Sequence, residues 1–138
     1  MFMNQMILNR ASKIRYEVKD IAPNTFEAMI KNYSERKVIT VWSGGSDATI
    51  FSDAKVNYAF RAWHDATHVK HGYDFSLQGE ASTAKIQCNE LTTDIGQAII
   101  MTEVVEQARH FFDKGYFPLN QSEFMLQVLS KHYSITLR

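Results

Sequence analysis

The sequence predicts an α+β protein that is predominantly α-helical, with a helical core of about five to six helices and a small β-hairpin near residues 37–51. Two observations carry this prediction. Apolar residues recur every three or four positions along most of the chain, which is the spacing of one helix face. The clearest run of β-branched side chains, at residues 37–42, is typical of a strand. We therefore expect one domain, residues 1–138, built mainly from helices.

The first half of the chain is expected to hold two helices and the hairpin. Residues 4–15 and 23–35 carry apolar side chains at helical spacing. Residues 37–42 form the first strand, the Gly- and Ser-rich residues 43–47 form a turn, and residues 48–51 form the return strand.

The second half is expected to be almost entirely helical. The central helix spans residues 55–71, because Ser52 or Asp53 can cap its start and Gly72 can end it. Ser76 can cap the next helix. That helix is expected to end at about Thr92. A long helix from Asp94 to Lys114 follows and ends at Gly115. The chain then forms a last helix to about His132 and an edge strand at residues 134–137.

The charge balance limits the partners of the chain. Fifteen basic and fifteen acidic residues give a formal net charge of zero, which argues against strong sequence-independent binding to nucleic acid. Such binding would need one local patch from Lys70, His71, Lys85 and Arg109. No stretch reaches the roughly 20 apolar residues that a membrane helix needs, and the single cysteine, Cys88, fits a reducing compartment. We expect a cytoplasmic protein without a membrane partner.

Three of the five histidines predict a metal site on the central helix. His64 and His68 are one helical turn apart and His71 is one turn further, so the three rings project from one face. Two such imidazoles can bind one divalent metal, and Glu80 from the next helix can add a third ligand while leaving a position for water. We predict His64, His68 and Glu80 as ligands of Zn, Mn or Fe.

Asp65 and Arg61 are the candidate catalytic residues beside this site. Asp65 can orient a ligand or act as a base. Arg61 lies one turn before the histidines and can contact a substrate anion, because a guanidinium pairs with two phosphate oxygens.

The pattern H-D-x-x-H also invites comparison with two enzyme classes. Zinc peptidases with H-E-x-x-H have a glutamate where this chain has Asp65, whose shorter side chain reaches less far towards a metal-bound water. The all-helical HD-domain phosphohydrolases need a further histidine upstream of the doublet, and this chain has none before His64. Both classes are therefore disfavoured.

A second polar stripe lies on the long helix at Glu103, Glu106 and His110. A solvated face explains it best, although a stripe that faces the histidines would resemble a helical di-metal site. The expected core comprises the opposite face of this helix and further apolar side chains, namely Ile99, Ile100, Val104, Val105, Ala108, Phe111 and Phe112 with Phe60, Trp63, Phe124 and Leu129.

The SGGSD segment at residues 43–47 resembles the SGGxD loop of the PP-loop ATP pyrophosphatases, whose backbone amides hold pyrophosphate. That domain needs several further βα units, and the chain that follows is too short for them. A turn rich in Gly and Ser explains the segment better.

A wider pattern resembles a set of small uncharacterised proteins from tailed bacteriophages and their marine relatives. Its parts are VNYAFRAWHD at residues 56–65, His68, DFS at residues 74–76, GE at residues 79–80, and GYFP at residues 115–118 with Gln121. The resemblance covers residues 38–130 and implies a phage or marine origin, hence the cytoplasm of a host cell. It also implies a shared polar site of Arg61, His64, Asp65, His68 and Glu80, but no activity.

Two classes of function fit these observations. The first is a small metal-dependent hydrolase that acts on a phosphoester or a nucleotide. The second is a non-catalytic interaction protein, such as a phage-encoded modulator of a host protein, in which the His/Asp cluster is a structural network. A nucleic-acid-binding protein is a further alternative.

Overall fold

The computed structural model of the chain describes residues 2–44, 51, 53–91, 94–115, 123, 124 and 127. Over these residues the fold is a predominantly helical α+β fold, as predicted. The elements in chain order are α1 (Phe2–Ala11), β1 (Tyr16–Lys19), α2 (Phe26–Arg36), β2 (Ile39–Trp42), α3 (Ala54–His71), α4 (Leu77–Asn89), α5 (Asp94–Met101), a π-helical segment (Thr102–Glu106) and α6 (Gln107–Lys114). The predicted edge strand and most of the predicted last helix lie outside the described residues.

The β structure among the described residues is a two-stranded parallel sheet, whereas a β-hairpin was expected. β1 pairs with β2, with Tyr16 opposite Ile39 and Lys19 opposite Trp42. The predicted return strand at residues 48–51 lies almost wholly outside the described residues. β1 was not predicted: its four residues alternate apolar Tyr16 and Val18 with charged Glu17 and Lys19, but the run is short and its pairing with β2 is non-local.

Side chains from three elements hold this small sheet together. Arg36 at the end of α2 donates to the Glu17 carboxylate on β1 (2.6 Å), and the Thr40 hydroxyl on β2 donates to the same carboxylate (2.8 Å). These bonds tie α2 to both strands and hold the pKa of Glu17 down at about 2. The carboxyl end of β2 lies beside α3, where Arg61 donates to the Trp42 carbonyl oxygen.

Local capping signals place both ends of α3 and the start of α4 as predicted. The Asp53 carboxylate accepts the N–H of Lys55 (2.9 Å) at the start of α3, and Gly72 ends this helix in the left-handed conformation at φ 71°. The Ser76 hydroxyl accepts the N–H of Gly79 (3.0 Å) and starts α4. α4 stops at Asn89, slightly earlier than expected.

α3 is the central helix of the described fold, and it packs against α1, α4 and β2. One face enters the main core, where Val56, Phe60 and Trp63 are buried. A second face, including Ala62, packs against Ile39 and Val41 of the sheet. His64 and His68 lie on the side towards α4. No helix among the described residues is long and apolar enough to cross a membrane.

The core prediction holds as far as Ala108 and fails at Phe111 and Phe112. Phe60, Trp63, Ile99, Ile100, Val104, Val105 and Ala108 are buried as expected. Phe111 and Phe112 are 39% and 56% exposed, so their predicted burial is wrong. A π turn contains one more residue than an α turn, which rotates the residues that follow it away from the face that an unbroken α-helix would bury. Phe124 is only partly buried, and Leu129 lies outside the described residues.

Candidate metal centre

The two central histidines lie where helical spacing places them. His64 and His68 are one turn apart on α3, and their ring centroids are 4.6 Å apart, in agreement with the predicted imidazole contact. α4 packs beside α3 and brings Glu80, in its first turn, to both rings. One ligand atom from each of these residues lies within 4.8 Å of the other two. We call His64, His68 and Glu80 the triad.

The distances within the triad are slightly shorter than those between metal ligands. His64 Nε2 is 2.9 Å from Glu80 Oε2, His68 Nε2 is 3.2 Å from Glu80 Oε1, and the two Nε2 atoms are 3.0 Å apart. Zinc at about 2.0–2.1 Å from each of its tetrahedral ligands separates those ligands by roughly 3.3 Å. Shifts of a few tenths of an ångström would therefore admit an ion, and the triad could hold a metal.

The outer nitrogen of each imidazole has its own partner. His68 Nδ1 lies 2.6 Å from the Tyr73 carbonyl oxygen, which only accepts, so this nitrogen carries the proton and donates. The Thr83 hydroxyl lies 3.3 Å from the same nitrogen. His64 Nδ1 donates to the Gln87 side-chain oxygen (2.8 Å). Such bonds fix the orientation and tautomer of metal-binding histidines and direct Nε2 towards the metal.

Opposite charges stabilise each other inside the triad. Burial by itself lowers the pKa of His64, but the Glu80 carboxylate, together with Asp65 and Gln87, raises it to about 9. Burial likewise favours the neutral form of Glu80, but the His64 and His68 rings together overcome this effect and lower the pKa of the carboxyl to about 2. Glu80 is therefore a carboxylate at neutral pH, as a metal ligand must be.

Sequence reasoning missed the residues that orient the histidines. Thr83 and Gln87 lie three and seven positions after Glu80 on α4, and both are fully buried. Glu80, Thr83 and Gln87 therefore form one polar stripe, which faces the histidine stripe on α3. This repeat of polar residues on one helix face is visible in the sequence. The carbonyl of Tyr73 could not be found in that way, because its position depends on the path of the loop.

The triad lies at the floor of a cleft of about 770 Å³. His64 and Glu80 line this cleft, with side chains that are 15% and 14% exposed, whereas His68 is fully buried behind them. Both candidate catalytic residues, Arg61 and Asp65, also line it. The structure therefore brings together all five polar residues predicted from the sequence.

Arg61 is held in place at the wall of the cleft. Its Nη1 donates to the carbonyl oxygens of Trp42 (2.7 Å) and Gly44 (2.6 Å), at the end of β2. The guanidinium lies 5.8 Å from the centre of the Trp42 ring, which is a cation–π distance. Burial lowers the pKa of Arg61, although an arginine remains charged at neutral pH. Asp65 lies near this cation, and burial raises the pKa of its carboxyl to about 6.

Glu103 of the second polar stripe lines the cleft, whereas Glu106 and His110 do not. Glu103 lies in the π-helical segment, accepts a hydrogen bond from Gln107 (2.8 Å) and has a pKa raised by burial to about 7. Glu106 pairs instead with Arg109 (3.1 Å), and the His110 ring contacts Phe124.

His71 does not extend the triad. Its ring is stacked on Tyr73 with centroids 5.8 Å apart, and the residue is exposed. It occupies the last position of α3, beyond the part of that helix that faces Glu80. Of the three imidazoles predicted to share one face, only those of His64 and His68 belong to the triad.

Comparisons with protein-family models, with curated proteins and with solved structures found no match to this chain. The likeness to phage proteins therefore stays a prediction.

Proposed function

We propose that this protein is a metal-dependent hydrolase that cleaves a phosphoester. His64, His68 and Glu80 would hold one divalent ion. The observation that carries the proposal is the convergence of two Nε2 atoms and one carboxylate at 2.9–3.2 Å, at the floor of a cleft. Two imidazoles and one carboxylate suit zinc in hydrolases, and also manganese or iron(II).

The cleft supplies the other groups that phosphoester hydrolysis needs. A bound divalent metal lowers the pKa of a water molecule and polarises a phosphoryl oxygen. Asp65 lines the cleft next to His64, and its carboxylate can accept a proton from the attacking water. Arg61 places a fixed positive charge at the wall, where it favours an anionic substrate. The water oxygen forms a bond to phosphorus, the P–O bond to the alcohol breaks, and the alcohol oxygen takes up a proton.

The alternative to a metal site is that the triad is a structural hydrogen-bond network, and one observation favours this alternative. The triad atoms already bond to each other, since a proton on His64 can be shared with Glu80 at 2.9 Å. Such a buried network needs no ion and suits a non-catalytic protein that binds a host partner. The phage origin and the cytoplasmic location belong to the proposal in either case.

Metal content and hydrolysis test the proposal together. Protein purified without an affinity tag should contain a divalent metal by mass spectrometry, at close to one ion per chain. It should hydrolyse bis-p-nitrophenyl phosphate or p-nitrophenyl phosphate, lose this activity in chelator and regain it with zinc, manganese or iron(II). Glu80→Gln should lose both metal and activity, while Glu27→Gln, an exposed glutamate on α2, should retain both. A metal-free wild-type protein that does not bind added metal would contradict the proposal.

A further inference from the structure

Exposed apolar side chains concentrate at the cleft. The large apolar side chains that the structure describes as exposed include Ile21 (85%), Trp42 (53%), Phe111 (39%) and Phe112 (56%), and all four line the cleft. Soluble proteins seldom leave aromatic rings clustered in water unless those rings bind something. These side chains form an apolar wall of the cleft, separate from its polar floor.

The wall is built from flat rings. Phe111 and Phe112 contact each other edge to face, with centroids 6.0 Å apart. Trp42 lies over the Arg61 guanidinium and stands on the end of β2. Aromatic rings of this kind stack on planar ligand groups, and each stacked base contributes measurably to affinity.

Polar groups beside the rings disfavour a purely apolar ligand. Asn24 and Gln107 line the same cleft, and so does the Glu103 carboxyl. Gln107 and Glu103 bond to each other at 2.8 Å, but a fatty or aliphatic ligand would offer no partner to their other polar atoms or to Asn24, which costs free energy. A nucleobase offers both a flat face for the rings and hydrogen-bonding edges for carboxamide side chains.

We propose that the cleft binds a nucleoside monophosphate, with the base stacked on the wall of Trp42, Phe111 and Phe112 and the phosphate at the triad. The part of this inference that concerns the phosphate, its phosphate half, rests on the proposed function. The part that concerns the base, its base half, rests on the aromatic wall alone. The volume of about 770 Å³ lies within the range of small-molecule sites. Arg61 joins the two halves, because it lines the cleft and lies against Trp42.

Tryptophan fluorescence can test the base half without any metal. The chain has two tryptophans. Trp63 is buried in the core, and Trp42 is exposed at the cleft, so quenching by a stacked base will report on Trp42. Adenosine and AMP should quench the emission of chelator-treated protein, whereas ribose 5-phosphate, which has no base, should not. Trp42→Phe should abolish the signal.

A second variant gives a matched comparison. Phe112→Ala should weaken AMP binding by roughly 5- to 100-fold, the range expected for the loss of one stacked ring. Leu8→Ala removes an exposed apolar side chain that does not line the cleft and should leave AMP binding unchanged. Equal quenching by ribose 5-phosphate and AMP, or unchanged AMP binding in Phe112→Ala, would overturn the base site. Binding of a single-stranded oligonucleotide much tighter than that of AMP would overturn the assignment to a mononucleotide.

The same titrations separate this inference from the proposed function. Adenosine binding in a protein that fails to bind zinc would leave the base site standing and refute the metal centre. Zinc binding and equally fast hydrolysis of ribose 5-phosphate and AMP, without adenosine binding, would leave the metal centre standing and refute the base site.

Discussion

Replacing His64 by alanine should remove the response of the protein to metal. The imidazole supplies one of three ligand atoms, and its Nε2 lies 2.9 Å from Glu80 and 3.0 Å from His68. A ligand that binds only the native state raises the free energy of unfolding by mass action. We therefore expect zinc to raise the melting temperature of the wild type and to leave that of His64→Ala almost unchanged.

The size of the effect follows from the affinity and the chain length. Zinc at 100 times its dissociation constant adds about 2.7 kcal/mol to the free energy of unfolding. For 138 residues, an unfolding entropy of about 0.3 kcal/mol per degree converts this gain to a shift of roughly 9 °C. The substitution also removes one of the two imidazole partners of Glu80 and the imidazole partner of the Gln87 amide oxygen, at a cost of about 1–3 kcal/mol with or without metal.

The assay is thermal unfolding in zinc and in chelator, with His71→Ala as the control. His71 lies on the same helix but is exposed and outside the triad. The control should keep the full metal-dependent shift. If the wild type shows no such shift, and His64→Ala is destabilised by the same amount in zinc and in chelator, the triad is a structural network and the enzyme proposal is wrong.

Three further predictions test the surroundings of the triad. Gln87→Leu removes the acceptor of His64 Nδ1–H and should weaken zinc binding by roughly 10- to 100-fold without unfolding the protein; unchanged affinity in a zinc titration would contradict the orienting role. Gly79→Ala places a Cβ against the Asp74 carbonyl oxygen and should lower the free energy of unfolding by about 1–3 kcal/mol in urea titrations, whereas Ser82→Ala on the same helix should change it little. Burial raises the pKa of Glu103 from 4.5 to about 7, so the native state binds more protons than the unfolded state between these values and loses stability as pH rises through them. Glu103→Gln cannot lose a proton and should gain up to about 3 kcal/mol relative to the wild type over that interval; parallel stability–pH curves would show that Glu103 does not titrate in this way.

Local signals explain why α3 and its histidines could be predicted. Asp53, Gly72 and Ser76 act as caps through bonds to residues two to four positions away, so their effect is written in the sequence itself. The imidazole pair follows from the helical repeat alone. Glu80 could be added because a single short loop connects its helix to α3.

Features that depend on distant parts of the chain could not be predicted in the same way. β1 becomes a strand only because β2, more than twenty positions later, pairs with it. Phe111 and Phe112 follow the apolar repeat of a continuous α-helix, and the π turn that exposes them has no clear sequence signal. The same irregular segment carries Glu103, which lines the cleft, although its stripe was expected to face solvent.

The unequal burial of the triad determines how an ion and a substrate would reach it. His68 is fully buried, and its outer nitrogen faces the Tyr73 carbonyl and the Thr83 hydroxyl. His64 and Glu80 alone reach the cleft. An ion must therefore enter from the cleft, and any water or phosphate oxygen that binds to it must come from that same side. The aromatic wall and Arg61 border this single described access, which is why substitutions there should change substrate binding while leaving metal binding intact.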